Sequence, residues 1–353
     1  MKTVVVGLSG GVDSSVAAYL LKKQGYNVIG LHMRSENAME AENDEKRVKE
    51  LAQELGIQLE IVDYSNQMQV VKDYFINEYK NGNTPNPCVI CNKEVKFKPF
   101  VEYANKVGAD YFATGHYAQI EHVDGETILK KAVDNNKDQT YFLCQLTKEQ
   151  LSKALFPLGE YTKDEVRKIA IENNLITAQT KESYDICFLG SQKFKDFMKN
   201  NYPEKSGNII DIQSEKVVGK HTGISKYTIG QRRGLDIGGI NGFEDNRWFV
   251  VKKDINTNTL FVSCGESDEM FSSACIVTDF NWVIDAPSNE FDTSVKLRYR
   301  QPDQETKVVV IDDKTIRLEF KTKQKAVTIG QFAVLYGKEG VCYGGGRIIN
   351  IIK

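Results

Sequence analysis

Residues 3 to 15 constrain the fold more than any other stretch. Val4-Val5-Val6 is a β-branched apolar run, Gly7-Leu8-Ser9-Gly10-Gly11 is a glycine-rich turn, and Val12-Asp13-Ser14-Ser15 enters a pattern continued by Val16, Tyr19 and Leu20. The order reads as a buried strand, a tight loop and an amphipathic helix beginning near Asp13. Such a loop aims backbone N–H groups at a helix N-terminus, where the dipole favours an anion. Gly10 and Gly11 let backbone come close to a phosphate, and Ser9, Ser14 and Ser15 add hydroxyl donors. The Gly-Lys-Ser/Thr ending of a Walker loop is missing, and Gly-x-Gly-x-x-Gly cannot be drawn through the segment. The plainer alternative is a βα turn in which Asp13 is only an N-cap.

Strand and helix patterns continue to alternate. Tyr26 to Met33 and Ile57 to Val62 read as strands, while Val48, Leu51, Ala52 and Leu55 share a helix face, and Val70 to Tyr79 forms a further helix. This rhythm predicts an α/β, doubly wound parallel sheet, whose ligands bind beyond the carboxyl ends of the strands. The 353 residues exceed one ordinary domain, so two or three are expected. With 46 Lys and Arg against 48 Asp and Glu, the chain is not a uniformly basic nucleic-acid binder, although a local basic face remains open. No run has membrane-spanning length and no export signal is visible, so a cytoplasmic protein with no membrane partner is expected. Seven cysteines, an odd number in a reducing compartment, point to buried, catalytic or metal-binding thiols rather than a disulfide framework.

The segment Asn83-Thr84-Pro85-Asn86-Pro87-Cys88-Val89-Ile90-Cys91 breaks the alternation. Its prolines predict no helix before Cys88, with one resuming near Lys93. Cys88 and Cys91 could be a redox pair, half of a metal site, an activated nucleophile beside Lys93 and Lys96, or two structural cysteines. A strand ends in Thr114-Gly115-His116, Asp124-Gly125 makes a hairpin, Lys137-Asp138-Gln139 precedes an apolar stretch, and Asp185-Ile186-Cys187 follows two helices. From Gly207 short strands take over, around a loop holding the adjacent Arg232 and Arg233. A last set of strands, including a basic alternation over Val295 to Arg300, suggests a small antiparallel barrel. The expected domains are residues 1–204, a β-rich central domain over 205–270 and a C-terminal barrel over 271–353.

The pattern Ser9-Gly10-Gly11-Val12-Asp13-Ser14 resembles the PP-loop of the ATP pyrophosphatases, which cleave ATP between its α and β phosphates. Taken with Thr84 to Phe97, Thr114-Gly115-His116, Lys137 to Tyr141, Asp185 to Phe188, His221 to Leu235, Arg298-Tyr299-Arg300 and Gly330-Gln331, the chain resembles the bacterial tRNA-specific 2-thiouridylases from end to end. That resemblance implies an enzyme that replaces O2 of the wobble uridine, U34, with sulfur. Gly7, Leu8, Ser9, Gly10, Gly11, Val12, Asp13, Ser14, Met33 and Gly115 would hold ATP, with Asp13 helping to hold Mg²⁺. Asn86, Pro87, Cys88, His116, Lys137, Asp138, Gln139, Arg298, Tyr299 and Gln331 would face a tRNA of the Lys, Glu or Gln type. Cys91 would be the nucleophile and Cys187 the persulfide carrier, fed by a cysteine desulfurase or relay protein.

The residue types suit that chemistry. A uracil oxygen leaves poorly until adenylated, and sulfur must arrive as a persulfide because a plain thiolate would stay attached to the base. One departure from the family pattern stands out: Cys88 occupies a position where many members have an aspartate. Cys88 is therefore a candidate sulfur relay or, with Cys91 and Cys187, a ligand of a [4Fe–4S] cluster with one open iron. Cys144, Cys264, Cys275 and Cys342 lie in apolar contexts and read as packing residues. The rival readings are a small-molecule PP-loop ligase, which leaves the cysteine set unexplained, and an RNA-binding module without turnover.

Overall fold

In the computed structural model the described residues are 1–34, 38–180, 187–189, 194–202, 204–237 and 247–353, without the side chains of 38–41, 187 and 195. The opening valines form β1 (Thr3–Gly7), and all three are fully buried. Their side chains alternate, Val5 entering one apolar cluster and Val4 and Val6 another, as a strand covered on both faces requires. Then come α1 (Val12–Lys23), β2 (Asn27–Arg34), α2 (Ala38–Leu55), β3 (Gln58–Asp63) and α3 (Ser65–Lys80). Strands β4 (Tyr111–Ala113), the hairpin β5 (Ala118–Val123) and β6 (Glu126–Lys131), and β7 (Ala154–Leu155) follow. The sheet order is β3-β2-β1-β4-β7, parallel throughout. The chain turns to opposite sides of β1, so the loops after β1 and β4 part at the topological switch point.

Two local expectations are corrected. The helical run after the prolines starts at Pro87, not near Lys93: one α turn, Pro87–Ile90, leads into a π-helical segment, Cys91–Phe97, and then an α-helix, Lys98–Lys106. Proline at the first helical position loses no hydrogen bond, since that N–H would be unpaired anyway. The strand expected over Val295 to Arg300 stops at Lys296. There the Leu297 N–H donates to the Gln301 side chain and the Gln301 N–H to the Arg298 carbonyl, closing a turn.

The central sheet joins β8 (Gly207–Asp211), β9 (Val217–His221), β10 (Trp248–Asp254) and β11 (Thr259–Cys264) in the order β10-β11-β8-β9. Beyond it β12 (Phe271–Trp282), β13 (Glu290–Lys296), β14 (Gln304–Asp312), β15 (Thr315–Lys325), β16 (Phe332–Tyr336) and β17 (Cys342–Ile352) close an antiparallel barrel. One apolar cluster runs from the first sheet into the barrel, combining Val5, Phe97, Phe112, Tyr141 and Leu143 with Phe332, Val334, Tyr336 and Cys342. The barrel is thus packed onto the first sheet through shared core.

Candidate functional site

The loop between β1 and α1 is held open by its own side chains. Ser14 Oγ donates to the Gly11 carbonyl at 3.1 Å, accepts from the Ser9 N–H at 3.2 Å and lies 3.1 Å from Ser9 Oγ. Gly10 takes φ +78°, a left-handed conformation that a side chain would strain. The helix begins after Gly11 with no side-chain cap, so Asp13 is not an N-cap and the first-turn N–H groups are available to an anion. Across the switch point Gly115 sits so near that a Cβ on it would lie 2.8 Å from backbone atoms of Asp13 and Ser14.

A cavity of about 420 Å³ opens over this loop. Of the expected nucleotide residues, Gly7, Leu8, Ser9, Asp13, Ser14, Met33 and Gly115 line it; Gly10, Gly11 and Val12 form the loop behind. Cys91, Lys96, His116 and Gln139 line the same cavity. Cys91 is buried at the first residue of the π-helical segment and packs with Val71 and Val95. Phe188 packs against that cluster, so the residue following Cys187 lies beside the Cys91 pocket. Cys187 itself opens a short 3-10 turn, Cys187–Leu189; its side chain, and all of Asp185 and Ile186, lie outside the described residues. Half-buried Cys88 is one helical turn from Cys91, so the described residues supply two of the three thiolates that a cluster would need. Lys93, two residues after Cys91, donates to Gln145 at 3.3 Å.

His116 stands against Phe97 and Phe156, with Nδ1 at 2.7 Å from Thr114 Oγ1. Desolvation, reinforced by the Lys96 charge, pushes its pKa down to about 3, so the ring is neutral at physiological pH. Asp13 Oδ1 accepts from Tyr117 Oη at 2.9 Å and from Lys163 Nζ at 2.6 Å. An anionic carboxylate beside the loop suits a divalent cation accompanying phosphates.

Several residues expected to face RNA are engaged internally. Asp138 is corrected: it is 2% exposed, and its carboxylate accepts from the Ala132 N–H and from Thr140. Burial raises its pKa. It holds its own loop, leaving Gln139 on the cavity wall with Oε1 accepting from the Tyr117 N–H at 3.0 Å. Arg298 Nη2 donates to the carbonyls of Ile229 and Ala326 and to Thr328, tying the central loop to the barrel. Gln331 Nε2 donates to the Thr84 and Pro85 carbonyls and so fixes the loop leading to Asn86, Pro87 and Cys88. Tyr299 packs on Phe142 at 4.4 Å between ring centroids, Lys137 is half-buried, and Arg232 and Arg233 are exposed.

Sequence reasoning missed Arg34, Asp44, Tyr64, Ser65 and Met68 on the cavity wall. Arg34 ends β2, and Tyr64 and Ser65 follow β3, so the rule that ligands sit beyond strand carboxyl ends was the available signal. Cys144, Cys275 and Cys342 are fully buried and Cys264 half-buried. Burial pushes the thiols of Cys275 and Cys342 up to about 12, leaving them inert packing groups.

Among the described residues no helix is long and apolar enough to cross a membrane. Three family models cover the chain: a tRNA methyl transferase HUP domain over residues 2–191, a tRNA methyl transferase PRC-barrel domain over 195–264, and an aminomethyltransferase beta-barrel domain over 272–348. The tRNA-specific 2-thiouridylase MnmA of Alkaliphilus oremlandii is 47% identical over 99% of this chain and 98% of its own. MnmA 1 of Geobacillus kaustophilus is 48% identical over 100% of this chain and 96% of its own, and that of Mycoplasma capricolum is 46% identical over 99% of both. At that identity across all three units, the chain belongs to the tRNA-specific 2-thiouridylase MnmA family.

Proposed function

We propose that this chain is an ATP-dependent sulfurtransferase that converts the wobble uridine of tRNA to 2-thiouridine. The observation that carries the reading is that one cavity holds the phosphate loop, Gly115, His116, Gln139 and Cys91 together. ATP bound on Gly7 to Ser14 would present its α-phosphate to uridine O2. Loop N–H groups and the α1 dipole would stabilise charge as pyrophosphate departs. Mg²⁺ would supply charge neutralisation on the departing pyrophosphate, with Asp13 as its protein contact. The half-buried Asn86 and the cavity groups His116 and Gln139 would receive the base, which must leave the anticodon stack to reach them. Neutral His116 can offer a hydrogen bond but not a positive charge. The terminal sulfur of a Cys187 persulfide then attacks C2 and AMP leaves. The Cys91 thiolate attacks the inner Cys187 sulfur, forming a Cys91–Cys187 disulfide and releasing the thiouridine; a cellular thiol restores both cysteines.

We assign catalysis to residues 1–204, the central unit to 205–270 and tRNA contact to the barrel over 271–353. The substrates are taken to be tRNAs of the Lys, Glu and Gln type, and the sulfur source a cytoplasmic persulfide relay. The test is incubation with unmodified tRNA, ATP, Mg²⁺ and a persulfide donor, followed by nucleoside mass spectrometry. Expected are 2-thiouridine at position 34, one AMP per sulfur transferred, and no thiolation by Cys91→Ser. Pyrophosphate release that needs no RNA, or full thiolation by Cys91→Ser, would overturn the reading.

A further inference from the structure

Lys163 carries no motif and no signal in the sequence, yet its ammonium reaches the phosphate loop. It opens the helix Lys163–Glu172, whose start is fixed by a reciprocal Thr162/Glu165 capping box and by the Lys163 N–H donating to Asp134 at 3.0 Å. The residue is 8% exposed. A lysine this buried requires an anionic partner, and a cation in the first turn of a helix is opposed by the dipole. Its Nζ lies 2.6 Å from Asp13 Oδ1, the oxygen that also accepts from Tyr117. Asp13 in turn lies in the first turn of α1, where the loop would receive phosphates. A bare carboxylate there would repel ATP.

We propose that Lys163 is a positioning residue of the nucleotide site, compensating the charge of Asp13 and fixing its carboxylate so that the loop accepts ATP. This rests on the ATP-binding reading above. It places the dependence on the first residue of the helix that follows β7, well beyond Gly115 in sequence. Asp13 then keeps a defined orientation while the net local charge stays near zero before ATP arrives.

The test measures ATP affinity by calorimetry on the full chain, with melting temperature as the fold control, for wild type, K163M, D13N and D13N/K163M. Expected is at least a tenfold loss of affinity in K163M relative to wild type, and less than a twofold difference between D13N/K163M and D13N. K163M within twofold of wild type, or an equal loss in both backgrounds, would overturn the proposal while leaving the ATP-binding reading intact. Wild type that binds no ATP would instead overturn that reading. If K163M does not fold, K163Q, which retains a donor without the charge, is read against the same thresholds.

Discussion

At the scale of single residues, His116 shows how a cavity wall can govern protonation. Its ring is sheathed by Phe97 and Phe156 and repelled by Lys96, so the folded-state pKa falls to about 3 from an ordinary value near 6.5. Above pH 6.5 both folded and unfolded chains hold it neutral and it adds nothing to the pH dependence. Below 6.5 the unfolded chain binds a proton that the folded chain refuses, so stability is lost as pH falls toward 3. Urea midpoints of wild type and His116→Gln should therefore diverge in slope between pH 6.5 and 5, wild type falling faster. Parallel slopes would show that His116 titrates normally in the fold. The same neutrality makes His116 a poor proton donor to the uridine, leaving O2 activation to adenylation.

At the scale of elements, the close approach of two loops at the switch point makes a second prediction. A methyl group on Gly115 would press on the Asp13–Ser14 backbone at 2.8 Å, with no flexible side chain there to yield. Gly115→Ala should cost on the order of 1–3 kcal/mol of overpacking and weaken ATP binding, read by calorimetry, while thermal unfolding stays cooperative. Unchanged ATP affinity would separate Gly115 from the nucleotide site. Elements of this kind were legible in the sequence because their signals are local: β-branched runs for β1 and β2, Ser-Gly-Gly for the loop, Asp124-Gly125 for a hairpin whose two residues take positive φ. The start of the cysteine helix was misread because Pro87 looks like a breaker when its neighbours are weighed alone, although at the first helical position it costs nothing. Asp138 was misread for a different reason. A carboxylate in a polar triplet looks solvent-facing, and only the fold shows the Ala132 N–H and Thr140 hydroxyl that draw it inward. Lys163 and the wall from Tyr64 to Met68 had no local signature, because their place in the site depends on how distant elements pack.

For the whole molecule, the question is how a barrel distant in sequence governs the position of Cys91, the proposed nucleophile. Glu78, at the end of α3, accepts from Arg347 of β17 at 3.0 Å and from Asn83 at 2.9 Å. Arg347 also reaches Asp279 of β12 at 3.4 Å. Asn83 lies in the loop whose next two carbonyls are held by Gln331, and that loop enters the Cys88–Cys91 turn. The barrel therefore holds the segment leading to the cysteines at Glu78 before the loop and at Thr84 and Pro85 within it. The Glu78 side chain is 10% exposed and that of Arg347 31%, so the pair lies between the buried and the screened regimes. Arg347→Met strands a nearly dry carboxylate; breaking a fully buried pair costs about 3–5 kcal/mol, and the partial exposure of Arg347 lowers the expected loss to roughly 1–3 kcal/mol. Glu78→Gln in the same chain removes the stranded charge and should recover most of that stability. The functional consequence separates the two roles of the interface. Because the Arg347 partners Glu78 and Asp279 lie outside the phosphate loop, Arg347→Met should leave ATP affinity within twofold while slowing single-turnover thiolation severalfold. A parallel loss of both would mean that the barrel supports the parallel sheet as a whole and does not specifically set the cysteine loop.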